Sequence, residues 1–188
     1  MICIGIDLGY RGALVALDDQ RRPLLVRDTP LNGTRHSPRG YDVEGFARLV
    51  AEVCKLPPFD TRRVVVMEAP THVRVGPTLH AQATGVLFLG AGLWLGAFAA
   101  HDVVVEPVQA TTWHRDMLKG VPGTSTKDRA AFIARTLGHP ELVENDGRAD
   151  AACIASYYTG NPLTRARSLP GRLATHRVNI VAPPWVAG

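Results

Sequence analysis

At 188 residues, 46% apolar and 20% charged, the chain has the make-up of one compact globular domain, which excludes a disordered polyelectrolyte and a multidomain assembly. The net charge of +4 sits at the end: no Asp or Glu follows Asp150, while Arg165, Arg167, Arg172 and Arg177 do, leaving 17 basic and 17 acidic side chains in residues 1–150. Such a tail suits a polyanionic partner such as nucleic acid without requiring one.

Ile2–Asp7, Ala13–Leu17 and Leu24–Arg27 are expected as three antiparallel strands, joined through Gly9 to Gly12 and through the turn-like 18–23. Residues Thr29 to Tyr41, with Pro, Gly, Asn and Ser, are expected to form a loop exposing Arg35, His36 and Arg39. Asp42 then caps a helix whose Phe46, Leu49, Val50 and Val53 repeat at helical spacing, and Pro57-Pro58 ends it. Val64–Met67 is a continuous apolar run suited to a central parallel strand. Ala69 to Pro77 connects it to a long glycine-bearing helix over Thr78 to Ala100, followed by a short strand at Val103–Glu106. Thr111–Leu118 is expected as a helix. Ser125 with Asp128 forms a capping box ahead of the stripe Ala130, Ile133, Ala134 and Leu137. A final helix spans about 145–158. Three strands, helix, strand, helix, strand and helices predict a mixed sheet with helices on both faces.

Cys3, Cys54 and Cys153 are scattered and lack metal-ligand spacing, which suits a reducing compartment. Asp7 interrupts the first apolar run, unlike a signal peptide. The most apolar stretch, Val86 to Ala100, is about fifteen residues, short for a membrane span. A soluble intracellular protein is expected.

Four carboxylates stand out. Asp7 closes a strand and opens Asp-x-Gly-x-x-Gly12, a pattern open to three readings: a metal ligand, the phosphate turn of actin-like ATPases, or a turn-forming Asp. Glu68 closes the second apolar run, as a ligand or as a surface residue. Asp146 and Asp150, four apart, share one helix face, and Asp146 also suits a helix cap, as does Asn145. Two acidic strand ends beside an acidic helix start need a cation, and a hard divalent ion is the usual occupant.

Gly5-Ile-Asp-Leu-Gly-Tyr-Arg-Gly-Ala13, Glu68, Trp113-His-Arg115, Ser125-Thr-Lys-Asp128 and Asp146-Gly-Arg-Ala-Asp-Ala-Ala-Cys-Ile-Ala155 occur in that order. The set resembles the RuvC-like Holliday junction resolvases of the ribonuclease H-like superfamily, across about four-fifths of the chain. The resemblance implies an α/β fold with a five-stranded mixed sheet, residues 1–160 forming the nuclease domain and 161–188 a basic extension. It implies a homodimer that resolves four-way DNA junctions by paired nicks in recombination and repair. Two Mg²⁺ or Mn²⁺ ions per site would be held by Asp7, Glu68, Asp146 and Asp150 and bridged chiefly by Asp7. Lys127 would meet the scissile phosphate, and His72, Arg74, Trp113 and Arg115 would contact DNA, with Trp113 equally suited to the core. The long helix would form the dimer, and the setting would be bacterial or phage-infected cytoplasm. The sequence departs from the family in the spacing of four between Asp146 and Asp150, where three is common, and in His114, where Lys is commoner. The alternatives are a phage-type branched-DNA nuclease of broader selectivity, an inert junction-binding module, and a single-domain relic of the actin-like ATPases. Length weighs against the last, since that fold needs two such domains.

Overall fold

β1 (Ile2–Asp7) lies at the centre of a five-stranded sheet, with Ala13–Leu17 and then Pro23–Asp28 on one side and Arg63–Glu68 and then Val105–Val108 on the other. The computed structural model describes residues 1–58, 61–75 and 78–160, with only the backbone at 74, 75, 78 and 79. The basic tail and its four arginines lie outside the described residues. β2 (Ala13–Leu17) and β3 (Pro23–Asp28) run antiparallel beside β1, while β6 (Arg63–Glu68) and β9 (Val105–Val108) run parallel to it. The sheet is therefore mixed, with helices on both faces, as the order of elements predicts.

Strand periodicity sorts the two layers. Ile2, Ile4 and Ile6 share a core with Leu14, Ala16, Val65 and Met67, covered by α1 (Val43–Cys54) and α2 (Ala81–Ala99). Phe46, Trp94 and Phe98 are its largest fully buried side chains, with Phe46 and Trp94 ring centroids 4.4 Å apart. Burying each contributes about 1.5–3 kcal/mol or more. The alternate residues Cys3, Val15, Val64 and Val66 face α3 (Ala110–Met117), α4 (Thr126–Thr136) and α5 (Asp146–Gly160). The buried cysteines 3 and 153 pack there as small apolar groups.

α5 approaches β1 closely because both surfaces are shaved. A Cβ on Gly5 would lie 2.1 Å from the Ala151 carbonyl oxygen and 2.4 Å from the Ala155 nitrogen. The facing helix is correspondingly alanine-rich, from Ala149 through Ala155. Only glycine at this strand position lets the helix backbone lie on the sheet.

Several boundaries differ from expectation. The segment from Thr29 to Tyr41 is not a plain loop: Leu31–Thr34 (β4) and Ser37–Tyr41 (β5) pair as an antiparallel hairpin. It lacks apolar alternation because only Leu31 and Tyr41 at its base meet the core, and that base is anchored by Tyr41, whose hydroxyl donates to the Val86 carbonyl at 2.9 Å. α2 starts at Ala81 rather than Thr78, since Thr78–Leu79 (β8) pairs back with Arg74–Val75 (β7). The last strand lies two residues later than expected, at Val105–Val108, because Asp102 at φ 55° and a Val103 N–H bond to Phe98 O extend the helix exit. A short 3-10 turn at Pro140–Val143 was not foreseen. Of the two residues suited to cap α5, Asn145 takes the role rather than Asp146, its Oδ1 accepting from Arg148 N at 2.8 Å.

α2 is 19 residues long with mean hydropathy 1.4, so by length and composition it could cross a membrane, unlike the fifteen-residue stretch within it. One face is occupied by the packing of Gly90, Ala91, Trp94 and Phe98 on the domain; Phe88, Leu89 and Leu95 are exposed on the other.

Candidate active site

Sheet parity aims the acidic residues. Cys3, Gly5 and Asp7 share the α5 side of β1, and Val64, Val66 and Glu68 share it on β6. Since β1 and β6 are parallel, both carboxylates emerge at the same end of the sheet. α5 begins over that end and brings Asp150 down onto it. The three groups act on one another: Asp7 is held well above the usual carboxylate range by burial first, then by Asp150 and Glu68, against a Leu8 backbone hydrogen bond and the Arg35 charge. Asp150 is pushed up to about 7 by burial, then by Glu68 and Asp146, with Lys127 opposing.

Asp146 stands one helical turn outward, more than half exposed, and receives the Lys127 ammonium at 2.6 Å. Hydrogen bonding and charge from Asp146 raise the Lys127 pKa. Lys127 reaches it from the first turn of α4, whose capping box is formed as expected: Asp128 N donates to Ser125 Oγ at 3.1 Å and Ser125 N to Asp128 Oδ2 at 3.0 Å.

Glu68 accepts a hydrogen bond from the Trp113 indole Nε1 at 2.9 Å. Trp113 is 1% exposed. This corrects its expected role as a DNA contact: an enclosed indole cannot meet DNA, and it serves instead to orient Glu68. Arg115 is exposed and paired with Asp116 at 2.8 Å. His72 is exposed, with its ring 5.6 Å from that of Phe88 on α2. The Arg74 side chain lies outside the described residues.

Among the described residues, no three acidic, histidine or cysteine side chains close on a common point as ion ligands would. Two of the four carboxylates are turned to protein partners, Glu68 to Trp113 and Asp146 to Lys127. The donor set nevertheless fits a hard divalent ion. Asp7 and Asp150 are half-buried carboxylates whose pKa values are raised by burial and by neighbouring acids, Asp150 and Glu68 acting on Asp7 and Glu68 and Asp146 on Asp150, and no salt bridge reaches them among the described residues. A divalent cation bound by oxygen ligands relieves that repulsion.

Two supports escaped sequence reading. Gly147, in the first turn of α5, packs against the β1–β2 turn so tightly that a Cβ would lie 2.0 Å from Arg11 O. Arg148 grips Asp28 at the end of β3 with Nε at 2.8 Å and Nη2 at 3.1 Å, and Asn145 Nδ2 adds a bond at 3.0 Å. Burial would raise Asp28, but these bonds outweigh it and hold its pKa below the ordinary value. Together they fix the start of α5 over the sheet end. The glycine in Asp146-Gly-Arg was visible, but nothing local says that it meets a backbone carbonyl.

No protein-family model and no curated protein matches the sequence. Among solved structures the chain is similar to Thermus thermophilus RuvC in complex with Holliday junction substrate, at TM-score 0.60 and 19% identity, covering 84% of this chain and 94% of that one. It is similar also to a second Thermus thermophilus RuvC structure, at TM-score 0.56 and 24% identity, covering 84% and 95%. The chain has a RuvC-like fold.

Proposed function

We propose that this chain is a metal-dependent, structure-specific DNA endonuclease that acts as a homodimer on branched DNA, foremost four-way junctions, by paired symmetric nicks. The convergence of Asp7, Glu68 and Asp150 at one end of the sheet carries the reading, because half-buried carboxylates gathered there, with Asp150 and Glu68 raising the Asp7 pKa and Glu68 raising that of Asp150, suit a divalent ion. The likeness in fold to a protein solved with a Holliday junction supports the choice of substrate.

Asp7, Glu68 and Asp150 would hold Mg²⁺ or Mn²⁺, with Asp146 joining once Lys127 leaves it. Bound there, the metal supplies a nucleophilic water and charge stabilisation of the leaving oxygen in phosphodiester hydrolysis. Trp113 holds Glu68 in the aim its ligand role needs. Lys127, freed from Asp146, meets the scissile phosphate, where a fixed cation stabilises charge gained in the transition state. Arg115, His72 and Arg74 contact the DNA backbone.

Two symmetric nicks need two sites, and the exposed apolar side of α2 supports the dimer. Phe88, Leu89 and Leu95 stand on it, and a Cβ on Gly85, Gly92 or Gly96 would meet open space, so a second helix can approach closely.

The test is cleavage of a labelled four-way junction with and without Mg²⁺ or Mn²⁺, beside three-way junctions, forks and flaps. Metal-dependent paired nicks, lost in Asp7→Asn and Glu68→Gln while junction binding persists, are expected. Near-normal cleavage by either variant, or cleavage in chelator, overturns the assignment. Equal cleavage of all branched forms replaces junction resolution with general debranching.

A further inference from the structure

The β4–β5 hairpin lies at the carboxylate end of the sheet, yet the chemistry above does not use it. Asp28 ends β3 opposite Ala13, which pairs with Asp7, so the chain enters the hairpin beside the acidic cluster. The entry is fixed to the β1–β2 turn by Thr29 N donating to Gly12 O at 3.0 Å. Its exit is fixed by Asp42 N on Pro30 O at 3.1 Å and by Tyr41, which packs between Tyr10 and Phe46. An isolated two-stranded ribbon would be marginal; this one has a rigid base.

Thr34 pairs with Ser37, so Arg35 and His36 form a two-residue tip. Gly33, at φ 91°, takes the irregularity in the ladder, and a Cβ there would lie 2.7 Å from Ser37 O. The tip leans back over the site. Arg35 Nη2 donates to Arg11 O at 2.5 Å, and Nη1 lies 3.8 Å from Asp28 Oδ1. From there Arg35 lowers the Asp7 pKa, as Arg11 lowers that of Lys127.

Residues 31–41 carry Arg35, His36 and Arg39 and no acid. Asn32, Thr34, Ser37 and Arg39 are exposed, and Arg39 has no ion pair or hydrogen bond among the described residues. Lys127 and Arg35 thus act on the acidic cluster, and Arg39 shares the ribbon of Arg35.

We propose that the β4–β5 hairpin is a nucleic-acid-binding ribbon, with Arg39 and the Arg35-His36 tip meeting the sugar–phosphate backbone of the duplex arm beside the carboxylate cluster. The inference rests on the nuclease reading for its ligand. Charge commits it to a polyanion, and a two-stranded ribbon has the width to lie along a DNA groove. Hydroxyl and amide side chains on its exposed faces match backbone contacts, which position rather than specify. Arg35, tied to the β1–β2 turn, sets the distance between that arm and Asp7.

The test uses the full chain carrying Asp7→Asn, so that bound DNA stays intact. Affinity for a fluorescent four-way junction and a linear duplex is measured from roughly 50 to 200 mM salt, the range over which phosphate contacts are lost. Arg39→Ala should weaken binding several-fold and reduce the slope of log K against log salt by about one, with Arg39→Glu weaker still. Arg21→Ala, in the turn at the opposite end of β2, removes the same charge and should leave the slope unchanged. An unchanged slope and affinity in both Arg39 variants overturns the ribbon while leaving the nuclease reading intact. A parent protein that binds no DNA overturns both. If Arg39 matters for binding but the unmodified chain cleaves nothing with metal, the ribbon stands and the nuclease reading falls.

Discussion

Gly147→Ala is the sharpest perturbation of the proposed site, since it adds one methyl group and removes no functional atom. The new Cβ would lie 2.0 Å from Arg11 O, 2.9 Å from Gly12 Cα and 3.0 Å from Arg11 C, all backbone atoms. Real Cβ atoms are essentially never found within 3.0 Å of such neighbours, so the first turn of α5 and the β1–β2 turn must separate by about 1 Å. In a helix interior, glycine to alanine would otherwise gain about 0.5–1 kcal/mol. Overpacking costs about 1–3 kcal/mol, leaving an expected net loss of up to about 2.5 kcal/mol, measurable by urea denaturation. The larger effect falls on the chemistry. Asp146 and Asp150 ride on α5 while Asp7 rides on β1, so the gap opens between the ligands themselves. A misplacement of about 1 Å is worth about 10²-fold in rate, which single-turnover cleavage of a junction by saturating enzyme reads directly. A variant that is more stable by the helix-propensity gain and cleaves at the parent rate refutes the reasoning: the Arg11 carbonyl would then have moved aside, and the close approach would not position the site.

Burial and neighbouring acids push Asp150 up to about 7 from its ordinary 3.8 and displace Asp7 in the same direction, so the folded state retains protons that the unfolded chain loses. Stability should therefore be full below about pH 4 and fall as pH rises to about 7, by up to about 4 kcal/mol for Asp150. Denaturation at several pH values checks this; Asp150→Asn should flatten the dependence, and a wild-type profile already flat between these limits refutes it. Trp113→Phe keeps most of the ring volume but removes the donor to Glu68; cleavage should drop about 10–100-fold, the usual cost of losing a ligand's orienting partner, while an unchanged rate would make Trp113 a packing residue only. Lys127→Ala should lower the single-turnover rate by about 10²-fold or more with junction affinity changed only a few-fold; if only affinity falls, Lys127 is an ordinary backbone contact. Leu89→Glu with Leu95→Glu should convert a dimer to a monomer by sedimentation, and a dimer that survives both charges moves the interface away from α2.

Periodicity and capping are local, and what they encode was legible without coordinates. Continuous apolar runs that close on Asp7 and Glu68 mark both as strand ends, and the spacing of Asp146 and Asp150 puts both on one side of a helix; the parallel register of β1 and β6 is what brings the two ends together. Asp42 and Ser125 cap the helices their side chains announce. What the sequence left undetermined depends on partners distant along the chain. Residues 31–41 lack apolar alternation because their hairpin is held from its base by Tyr41 on Val86, 45 residues away. Trp113 looks equally suited to a surface or a core until the fold brings its indole N–H to Glu68, again 45 residues apart. Gly147 is an ordinary weak helix former until the β1–β2 turn arrives 2.0 Å from where its Cβ would be. Local free energies of a few tenths of a kcal/mol per residue choose elements; steric contact and burial between distant segments, worth several times more, choose where those elements rest.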